Sequence, residues 1–542
     1  MARLMSEADP ILRIADPDRV TLPVRFHGDG AKDRVRVPTR LEGAPEALSA
    51  LLILALIAIG ARWHTFGNPV IGFDEQFYLL VGDRMLHGAL PYVDIFDRKP
   101  IGLFLLYAGI RLLGGDGVLQ YQLVALAFCV ATAFVLYRLA RRDCGQAGSI
   151  AAACAYILWL DFMEAEGGQA PVFFDLFMVV AAGLTLQALR RPRQARMWGM
   201  WAMVCTGIAL QIKYSVMFEG IAFGIALILG GLRAREPIMR LAMSAMLWIG
   251  AALAPTALAF AVYAATGHTR DFVFCNFVSL FGQGRNTLPI QAADFAASVA
   301  ILSPIMIWLA SLWWRKAGPV RGARAFYWCW LGAATAGWLI YFRFNSPHYA
   351  IPLLLPACVL IAQAMDSSRL RRAAAFATIA AGLVVGQVVL KENEIRKGGR
   401  HEAMLVAAAA EPTHGCIYVY DGYPALYMLT HSCLPSRWVF PGHLSARDEA
   451  HVAALGIDPS AEVRRIMAGR PQVVVDDYPR FIFGNAETHA IVQEVLNRDY
   501  YLAACVANGH DRERLIYRLR ENGTEPAPRA WSIPQDCPPN RT

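Results

Sequence analysis

Charged residues are scarce in this sequence: of its 542 residues, 17% are charged and 56% are hydrophobic. Soluble globular proteins carry about 25% charged residues. The hydrophobic excess is arranged in repeated apolar runs of roughly 17–22 residues, the length that crosses a bilayer as a helix. The shortage of charge therefore excludes a soluble protein and predicts a polytopic α-helical membrane protein.

The first 46 residues lack a long apolar run and are polar and of mixed charge. A cleavable signal peptide would need such a run, so we expect a disordered cytoplasmic tail over residues 1–46. The net charge of the chain is +8. In membrane proteins, surplus Arg and Lys lie in the cytoplasmic joints between spans. We therefore expect membrane lipids, and no nucleic acid, as partners.

Apolar segments predict about eleven transmembrane helices between residues 47 and 390. Arg-rich joints alternate with joints poor in positive charge, so the N-terminus is predicted inside and the chain after residue 390 outside. The apolar stretch 101–113 is too short to cross, and it is predicted as a re-entrant or interfacial helix within one outer loop, residues 64–117. The predicted spans lie near 47–63, 118–137, 147–160, 170–189, 197–212, 215–232, 241–265, 296–314, 325–341, 349–365 and 373–390.

Residues 391–542 predict a separate extracytoplasmic α/β domain, because short strand patterns alternate with helical ones. This part lacks a Gly-rich phosphate loop and a nucleophile elbow, so acceptor docking and structural cover both stay open as roles. Its four cysteines predict the disulfides Cys416–Cys433 and Cys505–Cys537, which an oxidising periplasm permits.

Two adjacent carboxylates, Asp74 and Glu75, follow the first span and begin a short amphipathic helix. We expect that helix to lie in the membrane interface with Leu80 and Met85 facing lipid. Acidic residues are common at a helix N-terminus, where they satisfy free N–H groups. Lys99, later in the same loop, could equally contact lipid headgroups. Taken alone, these residues leave a structural and a catalytic reading open.

The order of residues over this loop resembles the GT-C superfamily of glycosyltransferases. It is closest to the family 39 group, which includes protein O-mannosyltransferases and the aminoarabinose transferases of lipid A. Weaker resemblances are Gln211-Ile212-Lys213 and Arg343 with His348-Tyr349, so the resemblance covers roughly residues 47–365. The residues of the loop that carry it are Asp74-Glu75, Tyr78, Gly88-Ala89-Leu90-Pro91-Tyr92, Asp94, Asp97 and Lys99-Pro100.

The resemblance implies an inverting glycosyltransferase that moves a hexose or pentose from a polyprenyl-phosphate donor to an acceptor hydroxyl. The acceptor, whether lipid, glycan or protein, stays open. The reaction would take place at the outer face of a bacterial inner (plasma) membrane, with residues 47–390 as the catalytic domain and residues 391–542 in the periplasm. Asp74 would be the general base, because the attacking hydroxyl must lose a proton, and Glu75 its helper.

The remaining site residues implied by the resemblance divide by the part of the substrate they would contact. Cations stabilise a departing phosphate, although Lys213 and Arg343 could also be snorkelling interface residues and His348 a structural histidine. The donor phosphate would be bound by Lys99, Lys213, Arg343 and Tyr349, and the rest of the substrates by Tyr78, Tyr92, Asp94, Asp97 and His348.

Cofactor use differs from that of the aminoarabinose-type relatives. In those enzymes an acidic residue precedes the Lys of Lys-Pro-Pro and can help to hold a divalent metal. Here that position is Arg98, and the second Pro is Ile101. We therefore name no metal-ligating residues and no certain cofactor, and the use of a divalent metal stays open.

A multi-span transporter or lipid-linked-sugar flippase is the main alternative, and a structural assembly protein is a third. A transporter would place ionisable residues near the middle of the membrane, often within inverted repeats. Only Asp175 and Glu219 approach that depth, and no internal repeat is evident. The second outer loop, with Asp161, Glu164 and Glu166, is expected to be a solvated acidic loop, with an acceptor-site role as its alternative.

Overall fold

The structure is a computed structural model that describes residues 44–313, 322–341, 343–508 and 512–520. The chain is a polytopic helical membrane protein with a C-terminal domain that contains a β-sheet. The helices of the first part are α1 (Ala44–Arg62), α2 (Phe73–Leu86), α3 (Ile101–Arg111), α4 (Val118–Ala140), α5 (Gln146–Phe162), α6 (Ala170–Arg190), α7 (Ala195–Leu210), α8 (Met217–Arg233), α9 (Ile238–Ala265), α10 (Thr269–Val273), α11 (Leu288–Trp313), α12 (Ala323–Tyr341), α13 (Leu354–Met365) and α14 (Arg369–Lys397).

Each of the predicted spans coincides with one of these helices. Within the described residues, eight segments are long and apolar enough by themselves to cross a membrane. Helices α5 and α7 have 17 and 16 residues, so each reaches about 25 Å, less than the roughly 30 Å of a hydrocarbon core. Both are nevertheless packed among the longer spans.

The core of the bundle forms around α13, whose residues are all buried except Gln363. Gly148 of α5 allows the two helices to approach closely, because a Cβ atom at this glycine would lie 2.4 Å from the carbonyl oxygen of Ala362. Small residues at helix crossings are the usual means of close packing in membranes.

Helices α2 and α3 pack against each other in the first outer loop. A Cβ atom at Gly82 would lie 2.6 Å from the backbone nitrogen of Ala108, so the helices cross in direct contact. The expectation that Leu80 faces lipid is wrong, since Leu80 is 0% exposed. The C-terminal domain covers this helix, with Phe440 of that domain 5.1 Å from the Phe77 ring.

The C-terminal domain holds a four-stranded sheet in the order β1-β2-β4-β3. Strands β1 and β2 are parallel, and β4 pairs antiparallel with both β2 and β3. The buried valines Val473 to Val475 form its centre, as expected for a strand covered on both faces. The elements are α15 (Arg400–Ala410), β1 (Ile417–Val419), α16 (Leu426–Leu429), α17 (Pro441–Ser445), α18 (Val452–Leu455), α19 (Pro459–Ala468), β2 (Val473–Tyr478), α20 (Ala486–Asp499), β3 (Tyr500–Asn508) and β4 (Arg512–Leu519).

The predicted disulfide Cys416–Cys433 is confirmed. The second predicted pair involves Cys537, which lies outside the described residues. The same is true of almost all of the predicted cytoplasmic tail and of Arg315, Lys316 and Arg321, three of the arginines and lysines behind the predicted sidedness.

The acidic loop after α5 is not a solvated one. Asp161 and Arg62 are each 1% exposed and form an ion pair in which Arg62 Nε lies 2.7 Å from Asp161 Oδ1. Glu166 is also buried. The expectation of a solvated loop failed because Arg62, the basic partner of Asp161, is distant in sequence, at the end of the first span.

Candidate active site

The two predicted catalytic carboxylates lie in the first turn of α2 but differ in access. Asp74 is half-buried, whereas Glu75 is only 2% exposed. Asp74 Oδ2 lies 3.0 Å from the Tyr78 hydroxyl and 3.2 Å from Nε2 of Gln169, both of which donate to it. Tyr78 follows Asp74 by one helical turn, so the helix itself brings the two side chains together. Of the two carboxylates, Asp74 is the one that a substrate can reach.

Asp74 is held in its charged form. Burial by itself would raise its pKa, but the nearby charge of Lys99 and the hydrogen bonds from Gln169 and Tyr78 lower the pKa of Asp74 to about 2. The ammonium of Lys99 lies 5.4 Å from the centroid of the Tyr78 ring. Asp74 and Lys99 therefore meet around Tyr78, as a shared site requires.

Lys99 is positioned through its own backbone. Asp97 Oδ1 accepts hydrogen bonds from the N–H groups of Arg98 and Lys99 and lies 4.0 Å from the Lys99 ammonium. The Tyr92 hydroxyl donates to the Lys99 carbonyl over 2.7 Å. Burial acts to lower the pKa of Lys99, but Asp97 and Asp74 raise it above its ordinary value. Lys99 thus stays charged.

Two predicted substrate-binding residues make contacts within the loop. Tyr92 is 0% exposed and packs on Tyr263, with ring centroids 5.4 Å apart. Asp94 is exposed on a turn, where it accepts a hydrogen bond from the Leu90 N–H over 2.7 Å. These contacts hold the loop's conformation, and the substrate-binding role of both residues stays a prediction.

Lys213 lies between α7 and α8 and is 6% exposed. Its Nζ atom is 4.0 Å from the centroid of the Tyr349 ring, a cation–π distance. His348 stacks on Tyr349 and lines the same mainly apolar cavity as Lys213, together with Phe174 and Trp338. Burial and the charge of Lys99 lower the pKa of Lys213 to about 7.

Arg343 belongs to a different set of contacts from Lys213. Its guanidinium bonds Gln283 and lies 4.0 Å from carboxylate oxygens of Asp448 and Glu449 in the C-terminal domain. Glu449 also pairs with Arg98. Burial raises the pKa of Glu449, but Arg98, Gln283 and Arg343 lower it below its usual value. Arg343 is therefore anchored to the C-terminal domain at the edge of the site.

A second group of charges, which includes the predicted helper Glu75, lies behind Asp74. Burial and the charge of Asp74 raise the pKa of Glu75 to about 8, and burial raises that of Glu166 to about 7. Oε2 of Glu166 is buried without a hydrogen-bond partner among the residues that the structure describes. Lys397, at the end of α14, acts electrostatically on both and lies 4.0 Å from Glu164 Oε1.

Gln169 and Lys397 were missed because no motif marks them. Gln169 caps α6 by accepting the Ala170 N–H over 2.9 Å, and the same side chain donates to Asp74. Its only sequence signal is its place before Ala170-Pro171 at the start of a span, where a capping residue is expected.

The residues around Lys99 do not fit a divalent metal. Arg98 stands where a carboxylate ligand would be needed, and its guanidinium bonds Glu449 and the Ser279 hydroxyl. Hard divalent cations need several oxygen ligands. Within the described residues, no group of three or more His, Cys, Asp or Glu side chains is arranged to hold a metal ion.

The architecture is similar to that of ArnT from Cupriavidus metallidurans, solved in complex with undecaprenyl phosphate and in the apo state. The two structures align with TM-scores of 0.56 and 0.57 at 13% and 14% identity, and both alignments cover 88% of this chain and 98% of ArnT. The chain has the GT-C fold. The apo oligosaccharyltransferase of Archaeoglobus fulgidus aligns over 90% of this chain and 75% of its own at 12% identity, with a TM-score of 0.48.

The match of the GT-C fold confirms the resemblance that the first outer loop suggested. Within that fold, the sequence profile of the dolichyl-phosphate-mannose-protein mannosyltransferase family matches residues 97–275. The matched part includes Lys99, Gln169 and Lys213 and begins after Asp74. No protein of curated function matches the chain in sequence.

The C-terminal domain is joined to the site loop by hydrogen bonds. The Phe96 N–H donates to the Arg437 carbonyl over 2.8 Å, and Arg437 donates to the Tyr92 carbonyl over 2.6 Å. The Gln76 side chain accepts the Ala425 N–H over 3.3 Å. These contacts cross from α2 and the Lys99 loop to the sheet domain, so the domain supports the loop's conformation.

Proposed function

We propose that this chain is an inverting glycosyltransferase that moves a sugar from a polyprenyl-phosphate donor to an acceptor hydroxyl at the outer face of a bacterial inner membrane. The GT-C fold and the mannosyltransferase profile support the reaction class. The ArnT complex with undecaprenyl phosphate supports the donor class, because that lipid is what remains when a sugar leaves such a donor.

The observation that carries the proposal is the arrangement of Asp74 and Lys99 around Tyr78. A charged, half-buried carboxylate and a charged ammonium share one aromatic ring, with the carboxylate 3.0 Å from the hydroxyl and the ammonium 5.4 Å from the ring centroid. Transfer from a lipid phosphate needs these two groups: a base for the acceptor and a cation for the leaving phosphate.

Lys213 extends the cationic part of the site toward the membrane. Its cavity is lined mainly by apolar side chains, including Phe174, Phe218 and Trp338. A polyprenyl chain needs an apolar path and its phosphate needs a cation. We assign the phosphate to Lys213 and Tyr349, which line this small cavity, with Lys99 and Arg343 as further cations outside its lining.

In the proposed step, the acceptor oxygen bonds to the anomeric carbon as the bond from that carbon to the phosphate oxygen breaks. The electron pair of the broken bond stays on the phosphate, and polyprenyl phosphate is released. The hydroxyl proton passes to Asp74. Because a base and a leaving group on opposite faces of the sugar invert the anomeric centre, the product has the opposite configuration.

The low pKa of Asp74 fits a late proton transfer. A carboxylate of pKa about 2 cannot deprotonate a free alcohol, but a hydroxyl becomes strongly acidic once its oxygen has bonded to the sugar cation. Glu75, with its pKa raised to about 8, is protonated at neutral pH. We assign Glu75 to positioning, as a neutral neighbour that does not repel the charge on Asp74.

Transport of a lipid-linked sugar is the second candidate, favoured only by the buried acids Asp175 and Glu219 within the spans. Both have hydrogen-bond partners: Tyr156 donates to Asp175 over 2.9 Å, and the Trp330 indole donates to Glu219 over 2.5 Å. Each acid therefore has one aromatic hydrogen-bond donor, but Oδ1 of Asp175 is buried without a hydrogen-bond partner within the described residues, so transport stays the second candidate.

The proposal is tested with the full chain in lipid nanodiscs and a panel of undecaprenyl-phosphate sugars, with envelope glycolipids as acceptors. The expected result is release of undecaprenyl phosphate with a new glycosidic bond whose anomeric configuration, read by NMR, is opposite to that of the donor. Retention of configuration would contradict the proposed mechanism. Counterflow of a labelled lipid-linked sugar in sealed vesicles, without bond formation, would favour the transporter.

A further inference from the structure

A second cavity lies far from the candidate active site, at the other end of α4. It has a volume of about 270 Å³, close to the lower end of the roughly 300–1,000 Å³ of small-molecule sites. Gln122, near the start of α4, accepts the N–H of Gly67 in the first outer loop. Ala140, at the end of α4, lines the cavity. Eighteen residues of helix separate these positions by about 27 Å, so the cavity belongs to the opposite membrane face.

The cavity lies near the ends of three apolar helices. It is formed where α4 ends at Ala140, where α12 begins at Ala323 and where α13 nears its end at Met365. Apolar side chains, including Val359 and Leu360, form part of its lining, and Asp143, Arg324, Tyr327 and Gln363 form the polar part. A cavity with both kinds of wall at the end of three spans suits a molecule with an acyl part and a polar head.

Positive charge surrounds this cavity. Arg324 lines it and is held by a hydrogen bond to Gln363, which also lines it. Arg142 and Arg190 are close enough to act electrostatically on the Tyr327 hydroxyl. They also act on each other, because burial and the charge of Arg190 lower the pKa of Arg142 from its ordinary value. Across the part of the chain that the structure describes, no carboxylate forms an ion pair with any of the three arginines.

One polar group in the cavity wall has no partner. The Tyr327 side chain is 2% exposed, and its hydroxyl makes no hydrogen bond within the described residues. Asp143 also lines the cavity and is the one carboxylate among its described lining residues. A buried hydroxyl without a partner is rare because it costs the full desolvation penalty. A ligand with a hydrogen-bond acceptor would satisfy it.

We propose that this cavity binds the phosphate group of an anionic phospholipid in the leaflet opposite the candidate active site. The Tyr327 hydroxyl donates to a phosphate oxygen, Arg324 supplies a charge-assisted hydrogen bond, and Arg142 and Arg190 neutralise the headgroup from the cavity mouth. Basic pockets between transmembrane helices are known binding places for anionic headgroups. Three arginines against one aspartate favour a lipid with net negative charge over a zwitterionic one.

The test uses the full chain purified in detergent and counts bound lipid by native mass spectrometry during titration with phosphatidylglycerol or phosphatidylcholine. We expect the wild-type protein to retain phosphatidylglycerol in preference to phosphatidylcholine. Tyr327→Phe keeps the buried ring and removes only the unpartnered hydroxyl. It should fold normally and weaken phosphatidylglycerol binding about tenfold. Arg324→Gln should weaken binding at least as much.

Arg233→Gln is the matched control, because it removes one arginine from the same membrane face. Gly230, one turn before Arg233 in α8, packs on Leu189, the residue that precedes Arg190. Arg233 therefore lies at the same end of the bundle as Arg190, and its side chain is exposed. The Arg233→Gln variant should bind phosphatidylglycerol as tightly as the wild type does. Equal binding by all variants would overturn the proposal. Displacement of the lipid by millimolar inorganic phosphate would also overturn it and identify free phosphate as the ligand.

Discussion

The ammonium nitrogen of Lys213 lies 4.0 Å from the centroid of the Tyr349 ring and 6% of the lysine is exposed. Among the described residues, no carboxylate pairs with this lysine, and burial with the charge of Lys99 lowers the pKa of Lys213 to about 7. A buried cation without a counter-ion is costly. A lipid phosphate would supply the missing charge, which makes Lys213 the strongest candidate for the donor contact.

Replacing Lys213 with Met should weaken binding of undecaprenyl phosphate about tenfold to a hundredfold, because a charge-assisted contact is lost. The wild-type affinity should fall as pH rises from 7 to 9, since the lysine loses its proton across this range, and the variant should lose that dependence. Dissociation constants measured across this range in nanodiscs check both effects. Lys391→Met, at a lysine whose side chain is 62% exposed, is the control and should bind as the wild type does. Equal affinities of wild type and Lys213→Met would remove Lys213 from the donor site.

The raised pKa of Glu75 predicts a pH-dependent stability. Burial and Asp74 raise its pKa from 4.5 to about 8, so between these values the folded protein keeps a proton that the unfolded chain has released. Stability therefore falls as pH rises through this window. Glu75→Gln removes that contribution, and the melting temperature of the variant relative to the wild type should increase from pH 5 to pH 8. A constant difference over this range would show that Glu75 titrates normally.

The buried pair Arg62–Asp161 should hold the first span to α5. Removal of one partner leaves an unpaired buried charge, and Asp161→Ala should lower the free energy of unfolding by about 3–5 kcal/mol. Arg62→Met combined with Asp161→Leu should recover most of this loss, because the remaining charge is removed as well. Thermal unfolding in detergent measures both variants. A double variant as unstable as the single one would contradict the ion-pair explanation.

The parts of the fold that sequence predicts well are those set by local pattern. Apolar length placed the spans, and Asp74 meets Tyr78 because one helical turn separates them. The order of residues in the first outer loop also predicted that Lys99 lies near Asp74. These relationships need no knowledge of distant residues.

Long-range partners could not be predicted in this way. Gln169 reaches Asp74 across 95 residues of chain, and Lys397 approaches Glu166 from the end of the last span. The amphipathic pattern of α2 fits burial under the C-terminal domain as well as it fits lipid, which is why Leu80 was assigned to the wrong surroundings. Asp161 was expected to be solvated because its partner Arg62 is far away in sequence.

The central claim is that Asp74 takes the proton of the acceptor hydroxyl, and single-turnover transfer by Asp74→Asn in nanodiscs tests it most directly. The account predicts a fall in rate of about 10²–10⁴-fold with unchanged affinity for undecaprenyl phosphate. Glu75→Gln, whose amide resembles the protonated acid, should stay within about threefold of the wild type at pH 7. An Asp74→Asn variant that transfers sugar at the wild-type rate would contradict the account.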